Sequence, residues 1–471
     1  MNIPAHVHAG AYAPGTPASM QGQGAPLAAW YHGFVVAVIA AVIYTNLPVY
    51  AFVRNAGLLP KYFFFAMMVL MAPLAVAKHR QLAAYLLSPF ALWASLLLLL
   101  NLIHLSSMSA GGELAGSFLA DVTMQSRRAL IETRIQYLLF AMVVGFVVFA
   151  SVGKRWLRPM AVLAVLVPCA VLADFLLPGT FYPLDTPGVV LGRAAATFIN
   201  PTMAGEVLLH VFLLACVVTP ARYRGPLFLL AGAAILTTFS RAAILAWSVM
   251  FVILVASKAL PRSAVAMTVL ALGAVVLGMG VFESYLLSRS DFDGAADNIL
   301  ARLDFFSSLS VGDDSAVERA AVFKAGCELF LENPLFGAGA GATLFWSLRG
   351  STHNQLLLFA AEYGVLGVGL WVWMVVILWR GRLFAERGLQ VAMVFLFVFM
   401  SMFTHLMVDV ETYWLVSFAL ASVGRAPGAA ARQAKTARST GRRAVATAEQ
   451  APFAWSYAAI EAQGRQDRMV R

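Results

Sequence analysis

Apolar residues run along this chain in long unbroken stretches of about 17–25 positions, each closed by a short polar or basic segment. The stretches read as transmembrane helices, because a backbone in lipid has to satisfy its own hydrogen bonds. Spans are predicted near 29–51, 59–77, 85–105, 134–152, 157–178, 203–219, 225–240, 242–258, 263–282, 354–379, 388–405 and 408–424. The expected fold is an all-α polytopic membrane protein with about twelve transmembrane helices.

One run decides the count. From Gly225 to Lys258 a single helix would span about 50 Å, against a hydrocarbon core of about 30 Å. It would also put Arg222 and Lys258 on opposite sides of the membrane. A break is therefore expected in "TTFSRAA", with Ser240 and Arg241 at the turn. Two helices of about 24 Å each are short for the bilayer, so the turn is expected below the outer surface.

Composition agrees with the pattern: 61% of the 471 residues are hydrophobic and 12% charged, whereas soluble domains carry about 25% charge. The cysteines Cys169, Cys216 and Cys327 are odd in number, and two sit inside apolar runs, so they read as packing residues. Lys and Arg cluster after every second span and in the tail from Arg425 onward, which places both termini in the cytoplasm. Arg54 at the outer end of the first span runs against that rule. The net charge of +10 follows these loops and the tail, so it indicates contact with membrane lipids and excludes nucleic acid as a partner. Residues 1–28 hold no Lys or Arg and lack the basic start of a cleavable signal.

The expected organisation is a disordered cytoplasmic tail at 1–28, helices over 29–282, a helical periplasmic segment over 283–352, helices over 353–424, and a basic cytoplasmic tail at 425–471. Within the periplasmic segment "SAVERAAVFKAGCELFLENP" reads as a helix, opened by a capping box of Ser315 and Glu318 and closed before Pro334. The following "LFGAGAGA" lacks the spacing and the lysine of a nucleotide-binding loop and is read as a flexible or close-packed loop near the site.

No HExxH, CxxC or His–carboxylate cluster at metal-ligand spacing occurs, so neither a metal nor another cofactor is expected. The pairs Asp291/Asp293 and Asp409/Glu411 read as solvated loop charge or local polar contacts. Arg193, Arg241 and His353 remain on the outer side. Two permanent cations and one imidazole suit an anionic phosphate ligand and a proton acceptor. A snorkelling Arg241 and a packed or capping His353 are the plain alternatives. Glu362, nine residues past His353, falls on the opposite helix face and reads as a residue that packs the helix or supports the site from behind.

Four blocks, "GRAAATFINPTMAGEVLL", "TTFSRAAILAW", "ENPLFGAGAG" and "THNQLLLFAAEYGVLGVGLW", resemble those of the bacterial O-antigen ligase and polymerase superfamily in order and placement over about residues 190–375. The resemblance implies a GT-C-like membrane glycosyltransferase of the bacterial inner membrane with its active site facing the periplasm. It implies transfer of a glycan from an undecaprenyl diphosphate carrier without metal and, in the ligase branch, to the core oligosaccharide of lipid A. By position Arg193 and Arg241 match the family's diphosphate-binding arginines and His353 its essential histidine. Asn200 and Asn354, in the same blocks, join them as expected substrate-binding positions. The chain reads Asn200-Pro201-Thr202 where relatives often carry Asn-Pro-Asn.

With this reading, arginines stabilise the diphosphate leaving group, His353 takes the acceptor's proton, and the anomeric centre inverts. A polymerase of the same superfamily shares every block. A protein-glycosylating relative usually adds an outer domain after the last span, where this chain carries a basic tail. A secondary transporter would show internal repeats, which residues 29–219 and 225–424 lack.

Overall fold

The structure is a computed structural model and describes residues 24–55, 57–110, 118–149, 157–277, 314–344, 351–404, 407–409 and 411–423. The tail at 425–471, nearly all of that at 1–28, the Asp291/Asp293 pair and residues 283–313 of the periplasmic segment lie outside that set.

Helices carry the whole described fold. In chain order they are α1 (Gly24–Tyr44), α2 (Leu47–Arg54), α3 (Pro60–Ala77), α4 (Leu82–Leu86), α5 (Pro89–Ala110), α6 (Phe118–Phe149), α7 (Arg158–Leu176), α8 (Pro201–Cys216), α9 (Ala221–Thr238), α10 (Arg241–Ala256), α11 (Arg262–Leu277), α12 (Asp314–Glu332), α13 (Gln355–Arg380), α14 (Arg387–Met400) and α15 (Thr412–Val423). Each predicted span coincides with one or two of them. Among the described residues, five helices (α3, α5, α6, α7 and α13) are long and apolar enough to cross a membrane, or six if the bent pair α1–α2 is one span. The helices α8, α10, α14 and α15 are apolar but shorter.

Several boundaries differ from the sequence reading for local reasons. The first span bends by 59° between α1 and α2, where Asn46 adopts a left-handed φ of 51° and Pro48 occupies the first turn of α2. Helix α6 starts well before residue 134; its early turns carry Arg127, Arg128 and Glu132, which mask the apolar signal. Helix α12 is described from Asp314 to Glu332, and the capping box expected of Ser315 and Glu318 lies outside the described side chains. Helix α13 is not one straight rod: Gly364 takes φ 63°, ψ −146° within it. A side chain there would collide with the Leu335 and Pro334 carbonyls, so only glycine allows the loop after α12 to press against the kink.

Helix α8 forms the centre, buried along nearly its whole length and packed against α7, α9, α10 and α14. A second group joins α6 to α3, α5 and α15. Large apolar residues such as Val69, Val76, Leu87 and Leu270 are exposed on the outside, as lipid-facing surfaces require. The three cysteines are unpaired; Cys216 is buried, whereas Cys169 faces outward.

Candidate functional site

The candidate residues come together because several helices start at one end of the bundle. Asn200 caps α8 by accepting from Thr202 N at 2.8 Å, and Pro201 fills the first helical position, where a missing N–H costs nothing. Phe239 (φ 47°) ends α9 in a left-handed turn, and Ser240 and Arg241 open α10 directly afterwards. The break thus falls where the length argument requires. The Ser240 side chain makes no capping bond. Gly205 lets the two helix starts meet: a Cβ on it would lie 2.5 Å from that of Ala243.

The loop before α8 reaches the same place. Arg193 Nε donates to the Thr238 carbonyl at 2.8 Å, and Ala194 N donates to Thr237 O at 3.0 Å. Arg193 is thereby fastened to the turn that carries Arg241. The loop lines a small solvent-open cleft with Asp174, Tyr182, Leu184, Arg193 and Ile199 in its wall.

His353 arrives from the third start. Asn354 caps α13 through Leu357 N at 3.0 Å, and Gln355 N donates to Ser401 O, just past the end of α14, at 2.7 Å. Helix α14 packs along α10, with Gly388 near its start against Ser257 just past the end of α10. The two helices are therefore antiparallel, and the start of α10 lies toward the end of α14, where Gln355 is also bonded. His353 itself holds φ 47°, a conformation that costs a non-glycine residue roughly 1–2 kcal/mol and that recurs at functional sites. Both asparagines expected to touch substrate thus spend their side-chain oxygens on helix caps.

Sequence reasoning missed the charges that brace this end. Glu206, inside "PTMAGEVLLH", accepts from Tyr413 OH at 2.6 Å and Trp414 Nε1 at 2.8 Å. Its carboxyl lies next to that of Glu411, which also accepts from Thr404 Oγ1 at 3.0 Å. Arg134 is buried and binds Asp409 and Glu362 together. Of the two readings of Asp409 and Glu411, solvated loop charge fails and polar contact holds, each residue being buried in its own polar cluster. Glu362 does more than pack, since it also accepts from Thr343 at 2.9 Å. Arg127 donates to the carbonyls of Ala340 at 2.6 Å and Ala338 at 3.0 Å, and His104 Nδ1 accepts from Ala340 N at 2.9 Å. The glycine loop is accordingly close-packed, with Gly337, Gly339 and Gly341 all at positive φ. An acid or arginine inside an apolar run was the available signal, because such residues are costly in a membrane unless they have a task.

No group of three or more His, Cys, Asp or Glu suited to a metal ion occurs among the described residues. Residues 226–372 match the family model described as O-antigen ligase, Wzy_C. Over these residues the chain is similar to the O-antigen ligase superfamily. No curated protein matches the chain. The O-antigen ligase region takes in Arg241, His353 and Asn354 and leaves Arg193 and Asn200 just ahead of it. Chain folding brings Arg193 back to the turn that this region supplies.

Proposed function

We propose that the protein is an O-antigen ligase, which moves a glycan from undecaprenyl diphosphate to a sugar hydroxyl of the lipid A core at the periplasmic face of the bacterial inner membrane. The observation that carries this reading is the fastening of Arg193 to the turn before Arg241, at the bundle end where His353 precedes α13. Both arginines bind the diphosphate, whose oxygens match the guanidinium fork. The uncapped start of α10 adds backbone N–H groups that favour an anion. Asn200 and Asn354 hold the two neighbouring helix starts in place around the ligand.

In the transfer step the acceptor oxygen attacks the anomeric carbon and its proton passes to the imidazole of His353. The bond from that carbon to the diphosphate oxygen breaks, and undecaprenyl diphosphate departs with the electron pair. Attack opposite the leaving group inverts the anomeric centre. The diphosphate already leaves readily, so the arginines supply charge stabilisation, in a water-poor site the largest contribution. The histidine supplies general-base catalysis worth about 10²–10⁴-fold. In this reading the chain has twelve crossings of GT-C type, and the short helices α8 and α10 leave their starts recessed within the layer.

A polymerase of the same superfamily would share these residues. Lipopolysaccharide from a deletion strain separates the two. Bare core with accumulated carrier-linked polymer is the expected result; core bearing a single repeat unit would assign the polymerase reaction instead.

A further inference from the structure

Asp174 sits near the end of α7, and its Oδ2 accepts from two successive amides, Ala195 N at 2.9 Å and Ala196 N at 2.8 Å. Those amides converge because Ala195 has φ −139° while Ala196 has φ 48°. Paired N–H groups of this kind form a concave anion seat, and here the protein's own carboxylate fills it. The conformation is not one the chain would hold unaided. Ile199, β-branched, also has a positive φ of 60°, and Gly188 and Gly192 turn the same way. Tyr182 OH donates to Thr197 O at 2.8 Å, and Thr197 Oγ1 donates to Thr45 O at 2.5 Å, so the far side of the turn is held as well. A carboxylate beside a pocket meant for an anion is unfavourable unless it has another task. Its task is visible two residues away, where Arg193 bonds Thr238 O.

We propose that Asp174 is a positioning residue for Arg193: by clamping the Ala195–Ala196 amides it holds the loop that presents the guanidinium, and so sets the affinity for the carrier's diphosphate. This rests on the diphosphate reading of Arg193 given above. Removing the carboxylate frees both amides and lets the strained loop relax, taking the guanidinium with it. Because one oxygen accepts both bonds, the amide of an asparagine can do the same.

The test uses the full chain in lipid nanodiscs, with undecaprenyl diphosphate lacking glycan as the probe. Binding is measured for wild type, D174A, D174N, R193A and the D174A/R193A double variant, and amide hydrogen exchange is followed over residues 188–199. D174A is expected to bind about 10-fold more weakly and to exchange faster in that loop, while D174N restores most of both. The double variant is expected to bind no more weakly than R193A alone, because Asp174 acts only through that arginine. Additive losses, or D174A exchange equal to wild type, overturn the inference. R193A with wild-type affinity would sink the diphosphate reading itself and the affinity claim with it; faster exchange in D174A would then show the clamp to be structural only.

Discussion

Arg134 faces Asp409 across the buried junction of α6 and the loop before α15, with Nη2 donating to Oδ2 at 3.0 Å and Nε bonded to the other carboxylate oxygen. The same guanidinium binds Glu362 and the Tyr363 hydroxyl. One cation therefore holds together α6, the middle of α13 and the loop entering α15. Loss of one partner leaves an uncompensated charge in a water-poor interior. Arg134→Met is expected to destabilise the protein by about 3–5 kcal/mol, read as a lowered unfolding temperature in detergent. Arg134→Lys recovers only part of this, since an ammonium cannot serve both carboxylates in the fork geometry. An Arg134→Met protein as stable as wild type would reduce the cluster to incidental packing.

Glu206 ties the α8-centred group of helices to α15, and one of its two oxygens, Oε1, has no hydrogen-bond donor. The neighbouring Glu411 carboxyl is also an acceptor unless a proton is shared between the two. Glu206→Gln keeps an acceptor for Tyr413 and Trp414 and gains an N–H aimed at Glu411. Its melting temperature is expected to stay within about 2 °C of wild type, whereas Glu206→Ala takes from two buried donors the oxygen they share, leaving only Glu411 beside them, and costs about 1–3 kcal/mol. Equal stability of the alanine variant would show that Tyr413 and Trp414 find other acceptors.

What the sequence disclosed and what it hid divide along a physical line. Local signals were readable: the helix runs, the break within "TTFSRAA", and the stop before Pro334. Pairing was not. Arg134 meets Glu362 and Asp409 across separations of 228 and 275 residues, and no local periodicity encodes such partners. Arg224 shows the same limit. It stands in a basic segment between two apolar runs, yet it is buried and holds both oxygens of Glu386 at 2.7 Å. Asp174 was hidden for another reason, since its partners are backbone amides, which carry no residue identity.

Arg193→Ala and Arg241→Ala are each expected to lower transfer from the diphosphate-linked donor by at least about 10²-fold while the protein still folds. Lysine at either position recovers part of the loss. Arg193 has a second duty at Thr238 O, so its alanine variant also loosens the 237–241 turn, visible as faster hydrogen exchange there. Full activity in both Arg241→Ala and Arg241→Lys would return that arginine to interfacial snorkelling.

His353 separates backbone strain from chemistry. At φ 47° a glycine is more comfortable than a histidine, so His353→Gly is expected to fold at least as well as wild type, with a gain of up to about 1 kcal/mol. Because the same change deletes the base, glycan transfer by the purified variant is expected to fall by about 10²–10⁴-fold. His353→Gln retains hydrogen bonding but accepts no proton at neutral pH, and it is expected to be nearly as poor. The pH profile gives the sign independently: a general base works as neutral imidazole, so wild-type activity declines as pH falls and the ring protonates, and it levels off on the alkaline side. Donor binding to undecaprenyl diphosphate stays close to wild type in both variants, since the arginines hold the phosphates. If His353→Gln transferred glycan at the wild-type rate, the strained φ would have to be explained by the capping turn of α13 alone, and the base would have to be sought elsewhere.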